Sequence, residues 1–286
     1  MPIVSKDNVR RIHAAGSLGG LGAWQARKAP RRTSRRTFIR SLLSVAASVG
    51  APTLLPSWGW AIPASNTFIL AQLQYAGGQW DPRPLATASL MQEVRLRTSV
   101  ETRDERHTVP VRDPALFSYP FLYMTGERGF PPFGDEDIVI LRRYLLFGGL
   151  LLIDDARGTK GQDFDASVRR EIARVFPEQP LKILPPDHTV FRSFYLIRSV
   201  GGVRVVNPYL EGVHVGDRTP LLYCQNGLGV AWERDYLGNW VAACHPGGEA
   251  QRLEAFKLGV NCILYALTVN YKQDLIHIPF IRKKLG

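Results

Sequence analysis

Acid is almost missing from the first forty residues, where Asp7 stands alone against ten Lys or Arg, a local +9 within a chain whose net charge is +11. Only +2 is left beyond residue 40. The remainder therefore has no compositional case for a basic face, and no nucleic-acid partner is expected. Cysteine is scarce as well. Cys224, Cys244 and Cys262 form an odd set that permits one disulfide at most, and no CxxC or Cys/His spacing suggests zinc. Also absent are the Gly-x-Gly-x-x-Gly and P-loop patterns that cradle phosphates, the Gly-x-Ser-x-Gly elbow of serine hydrolases, internal repeats and low-complexity tracts. No motif implies a metal or names a cofactor.

What is present begins with Ser34-Arg35-Arg36-Thr37-Phe38-Ile39-Arg40. A hydroxyl residue, paired arginines, an apolar residue two places on and a closing base resemble a twin-arginine export signal. Residues 42–55 follow as an apolar stretch diluted by Ser44, Ser48, Gly50 and Pro52, and Gly59-Trp60-Ala61 resembles a signal-peptidase site. Spanning a bilayer takes about 20 predominantly apolar residues, which Pro52 and Pro56 interrupt. The expectation is export to the periplasm with cleavage after Ala61. An uncleaved signal would instead tether the chain on the periplasmic side, the one membrane contact foreseen. Residues 62–286 suffice for one domain with a sizeable core.

Within that domain, strand and helix patterns alternate. Residues 67–74 (TFILAQLQ) read as a buried strand, and 84–98 as a helix with Leu90, Val94 and Leu96 inward. Residues 121–124 form a short apolar strand that stops at Thr125 and Gly126. Acids at Asp135, Glu136 and Asp137 suit the first turn of a helix whose stripe is Ile138, Leu141 and Leu145, ended by Gly148 and Gly149. Residues 150–153 (LLLI) are the most hydrophobic strand candidate, as for a central parallel strand covered on both faces, and run into Asp154 and Asp155. Residues 164–176 keep helical spacing until Pro177. Residues 181–205 read as an irregular insertion with short strands. Residues 221–224 and 229–232 look like paired strands about an Asn226-Gly227 turn, and 252–271 like a long helix. This rhythm predicts an α/β doubly wound, mostly parallel sheet, whose ligands would meet the loops beyond the carboxyl ends of the strands.

Four segments together, residues 119–126 (YPFLYMTG), 148–155 (GGLLLIDD), 186–188 (PDH) and 258–265 (LGVNCILY), resemble the DUF4159 family of bacterial proteins. The likeness runs from about residue 67 to the C-terminus. More distantly the layout is similar to the flavodoxin-like, class I glutamine amidotransferase-like fold. The resemblance implies envelope partners, in systems with MoxR-type ATPases and von Willebrand A-domain proteins. Amidotransferase chemistry needs a cysteine on a Gly-x-Cys-x-Gly elbow with a histidine base. Here Asp154 and Asp155 follow the corresponding strand, so glutamine hydrolysis is not expected.

Candidate site residues follow from the strand ends. Asp154 or Asp155 could act as general base or metal ligand, or cap a neighbouring loop or helix through backbone N–H groups. His188, after Asp187 and two prolines, could move a proton or be structural. Tyr75 and Trp80 could line a pocket or plug the sheet's edge, Thr125 and Gly126 lie where a ligand would approach, and Arg157 could clamp an anion or pair with a carboxylate. Two functions compete: a non-catalytic ligand-binding or scaffold domain of an envelope assembly, and a periplasmic hydrolase of carbohydrate or another envelope polymer using Asp154, Asp155 and His188.

Overall fold

The computed structural model describes residues 67–159, 161 and 163–285, with side chains as far as residue 268. The expected export signal, with Arg35, Arg36 and Ala61, lies outside the described residues.

Among the described residues, seven strands form one sheet in the order β2-β1-β3-β4-β7-β6-β5. Its parallel heart is β1 (Ala71–Gln74), β2 (His107–Pro110), β3 (Phe121–Gly126), β4 (Leu150–Asp155) and β7 (Arg218–Cys224), and the antiparallel flank is β6 (Glu211–Val215) and β5 (Lys182–Ile183). Every residue of β3 and β4 is buried, which is why their sequences read as apolar runs without alternation. Successive side chains still point to opposite faces. Phe121, Tyr123, Leu150, Leu152, Leu222 and Cys224 join one core with α1 (Ala86–Arg97), α4 (Leu228–Trp232) and α5 (Gly248–Leu285). Leu122, Met124, Leu151, Ile153, Leu221 and Tyr223 join the other, under α2 (Asp135–Leu146) and α3 (Asp163–Val175). Helices thus cover both faces of a mostly parallel sheet, as the strand–helix rhythm predicts.

The differences from the sequence reading are local. Residues 229–232 belong to α4 rather than to a strand, because five residues are too few to show a helical period and a distant carboxylate decides the matter. Leu96 is 66% exposed; the inward face of α1 is Ala86, Leu90, Met91 and Val94. Thr125, Gly126, Asp154 and Asp155 are the last residues of their strands, not the first of their loops. Edge strand β2 carries a single buried side chain, Val109, and so has no apolar run to betray it. The segment read as an irregular insertion holds β5 and a 3-10 turn at Thr189–Arg192. All three cysteines are buried with free thiols.

Candidate functional site at the carboxyl edge

Adjacent positions on β4 send Asp154 and Asp155 to opposite faces of the sheet, and the two carboxyls meet different surroundings. Asp154 is wholly buried. Its Oδ1 accepts from the Leu228 amide (2.7 Å), and its Oδ2 from the Gly229 amide (2.8 Å) and the Tyr123 hydroxyl (2.8 Å). It is therefore the N-terminal cap of α4, reaching 74 residues along the chain to satisfy amides that a helix start leaves unpaired. Gly227 (φ +67°) makes the turn into the helix, and a Cβ at Gly229 would lie 2.7 Å from the Tyr123 hydroxyl oxygen and 3.3 Å from Asp154 Oδ2, so only glycine admits the carboxylate this closely. Burial pushes the Asp154 carboxyl up to about 6, against the pull of those three hydrogen bonds.

Asp155 lies on the other face. Its Oδ1 accepts from the Arg157 amide (3.0 Å), an Asx turn, while Oδ2 is buried without a hydrogen-bond partner among the described residues. Burial pushes this carboxyl up to about 7; the Arg157 amide opposes the rise, and Asp154 and Asp165 add to it. Beside it runs a polar chain that sequence reasoning missed. Asp165 accepts from Tyr223 (3.0 Å) and Arg169 (2.8 Å) and from Gln225, whose own carbonyl accepts from Asn207. The only hint in the sequence was a polar Gln225-Asn226 pair directly after an apolar strand.

A carboxyl held protonated by burial gives stability a definite slope with pH. The folded state keeps a proton that the unfolded chain, with Asp155 at 3.8, releases, so stability falls as pH rises from about 4 to 7 and levels off above. Asp154 adds a slope of the same sign that ends near pH 6. Asp155→Asn is expected to match the native chain at pH 4 and exceed it by roughly 2–4 kcal/mol at pH 8, read from urea unfolding at each pH. Equal midpoints of the two proteins at pH 8 would contradict the assignment.

His188 is elsewhere. Its Nδ1 accepts from the Val190 amide (3.2 Å), capping the 3-10 turn, and its Nε2 meets Thr219 Oγ1 (2.9 Å), which in turn meets His214 Nδ1 (2.9 Å). That pattern assigns the Nε2–H tautomer to neutral His188. Burial, with a smaller contribution from His214, lowers its pKa to about 4. Thr219 opens β7 at the amino edge, whereas Asp154 pairs with Cys224 at the carboxyl edge, five residues or roughly 15 Å further along the strand. The two carboxyls and His188 do not converge.

Tyr75 and Trp80 serve as plug more than platform. The Tyr75 hydroxyl donates to the Thr125 carbonyl (2.9 Å), and its ring packs on Phe130 (4.8 Å) and Phe133 (6.2 Å). Tyr75 and the Phe164 ring cover Gly126 so closely that a Cβ there would strike both. The Trp80 carbonyl accepts from Gln72 (2.9 Å), and Thr125 is buried. The Arg157 side chain is exposed. Among the described residues no group of three or more His, Cys, Asp or Glu is placed to hold a metal ion, and no helix is long and apolar enough to cross a membrane.

A search of curated proteins finds no match. A family model described as a domain of unknown function, DUF4159, matches residues 69–267, the span that holds all seven strands, both buried acids and the polar chain beside them. The chain belongs to the DUF4159 family.

Proposed function

We propose that this chain is an exported, non-catalytic ligand-binding or scaffold domain of an envelope assembly, built on a flavodoxin-like fold. The observation that carries the reading is what the chemistry-bearing residues do. Asp154 is fully engaged in starting α4, Asp155 is an enclosed and largely protonated acid below about pH 7, and the half-buried His188 sits at the opposite edge of the sheet. A hydrolase with an acid and a base needs the two within reach of one bond.

The flavodoxin-like reading is supported by the strand order β2-β1-β3-β4-β7, which reverses between β1 and β3. In such sheets a small ligand enters the crevice at that reversal. Here Tyr75, Phe130 and Phe133 pack together over it, which favours loops that contact a macromolecule over a deep small-molecule cavity. The partners are envelope proteins, with MoxR-type ATPase and von Willebrand A-domain systems the first to try.

The test is fractionation followed by affinity capture. A tagged full chain is expected in the periplasm, to leave it when Arg35 and Arg36 are both replaced by Lys, and to bring envelope proteins with it on capture. Periplasmic recovery that survives the double replacement contradicts the export route, and capture of the chain alone contradicts the scaffold role.

A further inference from the structure

The residues between α4 and α5 fold into a tight hairpin, bridged at Arg234 and Trp240, with Tyr236 91% and Leu237 87% exposed at its tip. Two large apolar side chains in water usually mark a mobile loop, but this one is locked. Asp235 accepts from the Leu237 and Asn239 amides (2.9 and 2.8 Å), the Asp235 amide donates to the Asn239 carbonyl (2.9 Å), and Arg234 donates to the Gly238 carbonyl (2.8 Å). The Trp240 ring is sandwiched by the guanidiniums of Arg234 (3.6 Å) and Arg252 (4.2 Å). Arg252 is itself buried and donates to the Ala231 and Ala242 carbonyls. The tip is held out on a rigid base, and rigid Tyr, Trp and Arg are the side chains that dominate protein interfaces.

A receptacle exists on the same molecule. A cleft of about 540 Å³ opens between residues 196–208 and the first turns of α5, with Leu196, Val200, Val205, Pro208 and Ala250 as apolar lining and Arg198 on its wall. Leu196 and Val205 are exposed there, 68% and 43%. Arg198 has no ion-pair or hydrogen-bond partner among the described residues, Lys257 on the same wall is paired with Glu254, and Asp235 beside the tip offers Arg198 a charge of opposite sign. Successive residues of α5 turn by about 100°. Ala250, Glu254 and Lys257 therefore face the cleft on nearly the opposite side of the helix from Arg252 and Phe256, which hold Trp240. The hairpin's base and the cleft thus lie on different faces of α5, which favours a second copy over the same chain as the source of the tip.

We propose that copies of this chain associate head to tail, the Tyr236 and Leu237 tip of one seating in the cleft of the next. Such a contact is heterologous and leaves a free tip and a free cleft at the two ends, so it propagates. It goes beyond the scaffold reading and is separable from it, since the experiment below reports on this chain alone.

Full-length Leu237→Cys and Ala250→Cys chains are mixed in equal amounts under a mild oxidant. The three native thiols are buried, so the introduced ones dominate. A several-fold excess of the mixed crosslink over the two self-crosslinks together is expected; a statistical mixture, or no crosslink, overturns the proposal. Sedimentation gives an independent reading. The native chain should gain mass with concentration, while Leu237→Asp and Ala250→Trp each stay monomeric and an equimolar mixture of the two stops at dimers, one supplying a cleft and the other a tip. A native chain that stays monomeric, or a Leu237→Asp chain that gains mass like the native one, also overturns it.

Discussion

Replacing Asp154 with alanine is expected to lower the unfolding free energy by roughly 3–6 kcal/mol, because three buried donors, the Leu228 and Gly229 amides and the Tyr123 hydroxyl, each lose their acceptor at about 1–3 kcal/mol apiece. Domains of this kind are stable by about 5–15 kcal/mol, so the loss is a large share of the whole. The transition midpoint should drop by roughly 6–24 °C, taking about 2–4 °C per kcal/mol for a domain of this size. Asp154→Asn keeps the shape and one acceptor and should fall between. The contrast with a catalytic role is sharp, since a general base can usually be replaced by alanine in a protein that folds and melts normally. Urea unfolding followed by circular dichroism decides it, and a variant within about 1 kcal/mol of the native chain would remove Asp154 from the folding account.

Asn226→Ala should cost nearly as much. This wholly buried side chain accepts from the Val206 and Asn207 amides (2.9 Å each) and donates to the Val200 and Asn207 carbonyls (3.0 and 2.8 Å). It ties the 200–207 segment to the end of β7, and three of the four groups it serves belong to the buried residues Val200 and Asn207. Losing it leaves buried amides and carbonyls unpaired at about 1–3 kcal/mol each, a total of roughly 3–5 kcal/mol once some relaxation is allowed. The damage should be local before it is global. Limited proteolysis is expected to cut within residues 196–208 first, while the β3–β4 core stays intact. Uniform resistance at that segment would show that the Asn226 network is dispensable.

How much of this was legible in the sequence depended on how local the determining forces were. Strands β3 and β4 announced themselves because both faces are buried, and α2 and α3 because an apolar stripe at helical spacing is a property of one segment. Strands β2 and β6 did not, since β2 at the sheet's edge and β6 next to the short edge strand β5 bury too few side chains to leave a pattern. α4 was misread because Leu228–Trp232 is apolar throughout and its helical start is fixed by Asp154, a residue far back in the chain. The same reach explains the site. Capping was foreseeable as one use of an aspartate at a strand end, but its target was not, and the assembly of Asp165, Gln225 and Asn207 exists only once β7 and α3 have packed. His188 was singled out for its neighbours in sequence, Asp187 and two prolines, whereas its partners in space are Thr219 and His214.

The central claim is that the buried acids and His188 serve the fold and not a reaction. It is tested most directly by combining Asp155→Asn with His188→Ala in the full chain and asking whether that chain restores a strain lacking the native one. Neither replacement removes the α4 cap, so the double variant should fold. Full restoration at native expression levels is the predicted result; a protein that unfolds normally yet fails to restore the strain would contradict the claim and return the two residues to catalysis.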